Sequence, residues 1–186
     1  MTDRAAHTML PRGSRAFAAL VVLSAAWLFP VATAVAESPL DKARRFLVQQ
    51  TLDVTCGAAA LGTLLGLERG ERYSEAQIVH EMLAGRSLAD IRAQGGFSLL
   101  DLKMFLQRRG IASFGATGFD ADELNHRAPL IAPVRLDAGL AHFVVVLALE
   151  DDAVLLADPA SGLAKVPFER FRERWNGIAF DIGEPD

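Results

Sequence analysis

The chain changes character near Gly110, and that change limits what it can fold into. Before it, apolar residues recur at helical spacing between capping signals; after it, they gather in short runs of the strand type. Cys56 to about Leu67 is rich in Ala and Leu and lacks proline, which predicts a helix whose end is bracketed by Gly66 and Gly70. Ser74-Glu75-Ala76-Gln77 reads as a capping box opening a second helix to about Leu83, with Ile78, Met82 and Leu83 at helical spacing. Gly95-Gly96 is a break. Ser98 opens a third helix with Leu99, Leu102, Phe105 and Leu106 on one face; Arg108 and Arg109 suit its C-terminal end, and Gly110 stops it. Ahead of all three, residues 37–45 read as a polar lead-in and Phe46-Leu47-Val48 as a brief extended segment.

Beyond Gly110 the pattern predicts a short strand over Ile111–Gly115, a short helix over Asp120–His126, a strand over Pro129–Leu136 and a turn at Asp137-Ala138-Gly139. His142–Leu149 is the strongest strand signal. Glu150-Asp151-Asp152 turns the chain back into Ala153–Ala157, where the unbroken apolar run Val154–Ala157 predicts a strand covered on both faces. Pro167–Trp175 reads as a helical turn and Ile178–Ile182 as a last strand. Helices first and strands after predict an α+β domain of two layers, N-terminal helices packed on a C-terminal antiparallel sheet.

The N-terminus reads as a targeting segment. Arg12 and Arg15 precede the apolar run Ala16–Phe29, Pro30 interrupts it, and Ala34-Val35-Ala36 gives a small-x-small cleavage signal. The expected division is therefore a signal peptide at 1–36 and one domain at 37–186, with the periplasm as destination. A retained membrane anchor is the competing reading; Pro30, the Ala-x-Ala ending and an apolar run shorter than a full span argue against it. Without Arg4, Arg12, Arg15 and Asp3 the formal charge moves from −4 to −6. An acidic domain with no basic patch is a poor nucleic-acid binder, so no nucleic-acid partner is expected.

Cys56 is the only cysteine, so no internal disulfide is available to it. A buried structural cysteine is one reading. The other is chemical. Thr55 is placed to cap the helix with its hydroxyl, and Cys56 then sits at the helix N-terminus, where the dipole and unpaired N–H groups favour a thiolate. Gln50, six residues upstream, can supply a side-chain N–H to an oxyanion. A thiol nucleophile needs a base, and the base an orienting group. His7 lies in the targeting segment, His80 in an amphipathic helix and His126 at a helix end. His142 starts the strongest strand, where its side chain can enter a cleft or be a buried core histidine. Asp158 ends the neighbouring strand; a tight antiparallel turn brings the two together, although Asp158 ahead of Pro159 also suits a turn. The candidate set is Gln50, Cys56, His142 and Asp158, and no cofactor or metal is expected.

Three runs in order, Gln50-x5-Cys56-Gly57-Ala58-Ala59, Gly139-Leu140-Ala141-His142-Phe143-Val144-Val145 and Ala157-Asp158-Pro159-Ala160-x-Gly162, resemble the C39-type cysteine peptidases of bacteria. Phe168-Glu169 and Trp175-Asn176-Gly177 resemble that family's C-terminal pattern. The resemblance implies a papain-like fold, a triad of Cys56, His142 and Asp158, and Gln50 as oxyanion donor. It also implies cleavage of leader peptides after Gly-Gly, usually by a domain fused to an ABC exporter. This chain departs from that pattern. It has no Gly-x4-Gly-Lys-Ser/Thr nucleotide-binding run, and Thr55 stands where exporter-fused members commonly carry Asp. It is more similar to stand-alone exported members found beside secretion systems, including those for functional amyloid. The leading expectation is an exported cysteine peptidase that trims an exported protein or peptide, possible partners being the components of a secretion system. The alternatives are a non-catalytic peptide-binding module on the same fold and a papain-like cell-wall amidase.

Overall fold

The computed structural model describes residues 37–136 and 141–184. The expected signal peptide and the turn at Asp137-Ala138-Gly139 lie outside the described residues.

The helices come first. Residues 37–45 are not a lead-in: Pro39–Phe46 forms α1, with Pro39 in the first turn and the Ser38 side chain accepting the Asp41 N–H. The Leu47–Gln50 segment that follows has no regular structure; its Val48 N–H donates to the buried hydroxyl of Thr63 at 2.9 Å. Cys56–Arg69 forms α2, the central helix, in which every residue from Cys56 to Leu67 is buried. Its small residues explain how it can be enclosed on all sides. A Cβ at Gly66 would meet the Phe46 ring at 2.7 Å, and one at Gly62 would meet Ile78 at 2.8 Å. Gly66 is thus a packing contact inside the helix, and Gly70 alone ends it, in the left-handed conformation at φ 70°.

Glu75–Leu83 forms α3 and Leu99–Arg108 forms α5, each opened by a capping box, Ser74 with Gln77 and Ser98 with Asp101. Between them lies α4, Leu88–Ala93, which the sequence reading passes over; Ser87 and Asp90 form its capping box. Its single buried residue, Ile91, gives too short an apolar stripe to register as a period.

The remaining elements are β1 (Ser113–Ala116), α6 (Ala121–Arg127), β2 (Leu130–Arg135), β3 (Ala141–Glu150), β4 (Ala153–Asp158), β5 (Gly162–Pro167), α7 (Phe168–Arg172) and β6 (Ala179–Ile182). They build one sheet in the order β1-β6-β2-β3-β4-β5, with every pairing antiparallel. β5 is an edge strand, begun by Gly162 and ended by Pro167, and its weak alternation gives no clear strand signal. β4 is covered on both faces, as its apolar run predicts.

That double coverage corrects the two-layer expectation. Ile131, Phe143, Val145, Leu147, Leu155 and Ala157 face α2 and its neighbours in one core. Leu130, Ala132, Val144, Val146, Val154 and Leu156 form a second core on the opposite face, with Leu124 of α6, Phe171 of α7 and Trp175. The helices therefore sit mainly on one side, and α6 and α7 close the other.

Candidate active site

Cys56 is the first residue of α2 and is 5% exposed. The first backbone hydrogen bond of this helix runs from the Ala59 N–H to the Thr55 carbonyl, so the N–H groups of its opening turn have no partner within the helix. Thr55 stands at the cap position without capping. Its φ of −108° and ψ of 7° are outside the extended geometry of a side-chain cap, and it makes no such bond. Its fully buried hydroxyl instead lies 2.7 Å from the Leu52 carbonyl and 2.5 Å from the Glu75 carboxylate. A charged carboxylate, here half-buried, is the stronger acceptor, and the threonine turns to it.

His142 is the second residue of β3 and is 6% exposed. The β3–β4 register sets Val145 opposite Ala157. One step further along that register places Asp158 opposite Val144 and diagonal to His142 on the same face. The result is a hydrogen bond of 2.7 Å between His142 Nε2 and Asp158 Oδ1. Asp158 also accepts the Ala160 N–H and the Ser161 hydroxyl, each at 2.8 Å. The two readings of Asp158, turn former and partner of the imidazole, are both realised by one carboxylate.

The electrostatics follow from burial against pairing. Burial works to push the His142 ring down, but hydrogen bonds and opposite charge from Asp158 and Cys56 outweigh it and raise its pKa from 6.5 to about 9. Burial works to push Asp158 up, and the bonds from His142, Ala160 and Ser161 outweigh it, lowering its pKa from 3.8 to about 2. At neutral pH this favours an imidazolium beside a carboxylate. With Nε2 committed to Asp158, Nδ1 is the ring nitrogen left to the Cys56 thiol.

Gln50 reaches the same place from the segment ahead of α2. Its backbone N–H donates to the Pro159 carbonyl at 2.9 Å, and its side-chain Nε2 donates to the Leu52 carbonyl at 3.1 Å. Its Oε1 is buried without a hydrogen-bond partner. Gln49, by contrast, is exposed. His80 and His126 are exposed on α3 and α6, and His7 lies outside the described residues. Among the described residues, no group of three or more His, Cys, Asp or Glu side chains could hold a metal ion.

Glu75 is the residue the sequence reading misses. It accepts the Thr51 N–H at 2.8 Å, the Thr51 hydroxyl at 2.6 Å and the Thr55 hydroxyl, so it fastens the turn between Gln50 and Cys56. In the sequence it appears only as the first helical residue after Ser74.

Residues 44–184 match the model of the peptidase C39 family. A protein of Pseudomonas aeruginosa described as a probable functional amyloid protease, FapD, is 34% identical over 143 residues, covering 75% of this chain and 62% of that protein. The chain thus spans less than two thirds of that relative's length. Among solved structures, the peptidase domain of Streptococcus ComA, a bifunctional ABC transporter involved in quorum sensing, superposes with a TM-score of 0.61 at 21% identity, over 75% of this chain and 98% of that domain. A double glycine motif protease from an AMS/PCAT transporter, in complex with the leader peptide, gives 0.59 at 22% identity, over 73% of this chain and 89% of the other. At such identities the likeness shows the fold.

Proposed function

The chain belongs to the peptidase C39 family, and on that premise we propose that it is a cysteine peptidase that cleaves a secreted protein or peptide. The observation that carries this reading is the 2.7 Å bond between His142 and Asp158, on an imidazole whose pKa Cys56 also raises.

In this mechanism Cys56 is the nucleophile. Its sulfur, deprotonated toward His142 Nδ1, attacks the scissile carbonyl carbon and forms a C–S bond. The negative charge that develops on the carbonyl oxygen is taken by the Cys56 backbone N–H and by Gln50. One N–H of the Gln50 amide is held by Leu52, which fixes the plane of the amide and leaves the second N–H for the oxyanion. The tetrahedral intermediate collapses, the C–N bond breaks, and His142 gives its proton to the departing amine. Water then attacks the thioester, His142 takes the water's proton, and the C–S bond breaks to return the thiolate. Asp158 keeps the ring oriented and its charge balanced through both halves.

The proposed substrate is a protein in transit through a secretion system, and the likeness to a probable functional amyloid protease favours an amyloid system. The proposed compartment is the periplasm, on the targeting signal read in residues 1–36. Cleavage after small residues such as Gly-Gly is proposed from the family. The test is to incubate the enzyme and its Cys56→Ala form with secreted proteins encoded beside it and to map new termini by mass spectrometry. Cutting by the native enzyme alone supports the reading. Tight binding without cutting by either form points to a binding module, and preference for peptidoglycan stem peptides to an amidase.

A further inference from the structure

On the sheet face that carries α7, a cavity of about 300 Å³ opens beside the imidazole. His142 and Asp158 form part of its wall, Val144, Leu156 and Phe171 supply apolar lining, and Arg170 lines it while remaining exposed. Neither Cys56 nor Gln50 lines it. The volume is at the lower end of ligand pockets, about 300 Å³, and suits one large side chain and part of its neighbour.

Its position relative to the chemistry assigns its use. In a thiol peptidase the acyl half of the substrate is held at the sulfur and the oxyanion donors. The leaving amine must collect its proton from the imidazole. A pocket that touches the imidazole and its carboxylate, but neither the thiol nor the proposed oxyanion donor, therefore lies on the leaving-group side. The geometry points to a subsite for the residue that follows the scissile bond: an aliphatic side chain seated against Val144, Leu156 and Phe171, with an acidic residue next to it in reach of Arg170. This inference rests on the cysteine-peptidase reading and names what the enzyme prefers after the cut.

The lining supports each half of that preference. Val144 and Leu156 are buried members of the second core, so the pocket floor is rigid and apolar. Arg170 makes no ion pair among the described residues, while its neighbour Arg172 is paired with Glu169. An unneutralised guanidinium at a pocket edge favours a carboxylate, weakly because it is solvated.

The experiment uses two substrate sets sharing one acyl segment. In the first, the two residues after the scissile bond vary; in the second, an aryl ester replaces them, so that no amino acid follows the bond. With the peptides, kcat/KM should be higher for Leu than for Gly at the first position by roughly ten- to a hundredfold, the discrimination a hydrophobic pocket gives. At the second position Asp should exceed Lys by about two- to fivefold at low salt, as an exposed ion pair allows. Arg170→Glu should invert that second ranking. Ala164→Phe, which narrows the pocket from β5, should raise KM for Leu peptides more than for Gly peptides. Ester turnover with a flat peptide series overturns the subsite and leaves the peptidase standing. Absence of both activities overturns the peptidase reading and the subsite with it.

Discussion

The carboxylate of Glu75 holds the hydroxyl of Thr55, the residue before the proposed nucleophile, across twenty positions of sequence. The same carboxylate takes both the N–H and the hydroxyl of Thr51. Glu75 is therefore the expected positioning residue for the turn that joins Gln50 to Cys56. Burial works to raise its pKa, and the bonds from Thr51 and Thr55 outweigh it and lower it, so its contribution is present above the ordinary glutamate range and fades as pH falls below it. Glu75→Ala should cost about 1–2 kcal/mol of stability through the loss of hydrogen bonds to a charged acceptor, the Thr55 hydroxyl falling back on the Leu52 carbonyl. It should also lower kcat more than it raises KM. Glu75→Gln, which keeps an acceptor oxygen, should restore part of both. An unchanged kcat in a folded Glu75→Ala enzyme, measured beside its denaturation midpoint, would remove Glu75 from the positioning role.

The raised pKa of His142 gives a pH prediction with a definite sign. The imidazolium is lost as pH rises through about 9, so kcat/KM should fall along an alkaline limb near that value. Asp158→Asn removes a major upward influence and leaves burial to push the ring down. The limb should move to lower pH in that variant. Stability follows the same logic: the contribution of His142 is full below 6.5 and lost through about 9, and that of Asp158 is full above 3.8 and lost as pH falls through about 2. Melting temperatures measured from pH 2 to 10 should show both losses in the native protein and a smaller alkaline loss in Asp158→Asn.

Cys56→Ala should abolish cleavage with little change in fold, because only one sulfur atom leaves a small-residue helix end. It also removes one of the groups that raise the imidazole. The His142 resonance followed by NMR should therefore titrate at lower pH in Cys56→Ala than in the native enzyme. Identical titration curves would mean that Cys56 does not act on the ring.

Gln50→Ala should reduce turnover by about a hundred- to a thousandfold, the usual loss for one oxyanion donor. Alkylation of Cys56 by iodoacetamide should change little, since Gln50 bonds to Leu52 and Pro159 and not to the imidazole. Gln49→Ala is the control: that side chain is exposed, and neither measurement should move.

Gly66 carries a packing prediction. A methyl group there would lie 2.7 Å from the Phe46 ring, an aromatic face with no flexible end to yield. Gly66→Ala should destabilise the fold by about 1–3 kcal/mol, the typical cost of overpacking. A melting curve that matches the native protein would show that α1 can shift to make room.

The parts of this fold that sequence reveals are those whose causes are local. The boxes at Ser74 and Ser98 satisfy their helix ends within three residues, so their letters suffice. The β3–β4 hairpin is equally local, and it alone brings His142 to Asp158. Thr55 shows the limit. By itself it reads as a helix cap, and only the fold brings a carboxylate from α3 to claim its hydroxyl. β5 fails for a related reason: an edge strand is stabilised by its partner, here β4, more than by its own pattern. The second layer of α6 and α7 is implied by the apolar run of β4, but which segments would cover it depends on long-range packing.

The hydrogen bond from the Gln50 N–H to the Pro159 carbonyl has a consequence for how this site can vary. It joins the proposed oxyanion donor to the residue after the proposed triad acid using main-chain atoms alone. Side-chain replacement at neighbouring positions leaves such a tie in place, and only proline at position 50 would delete its donor. Residues around the cleft are thus free to drift toward new substrates while the spacing between donor and acid is inherited unchanged.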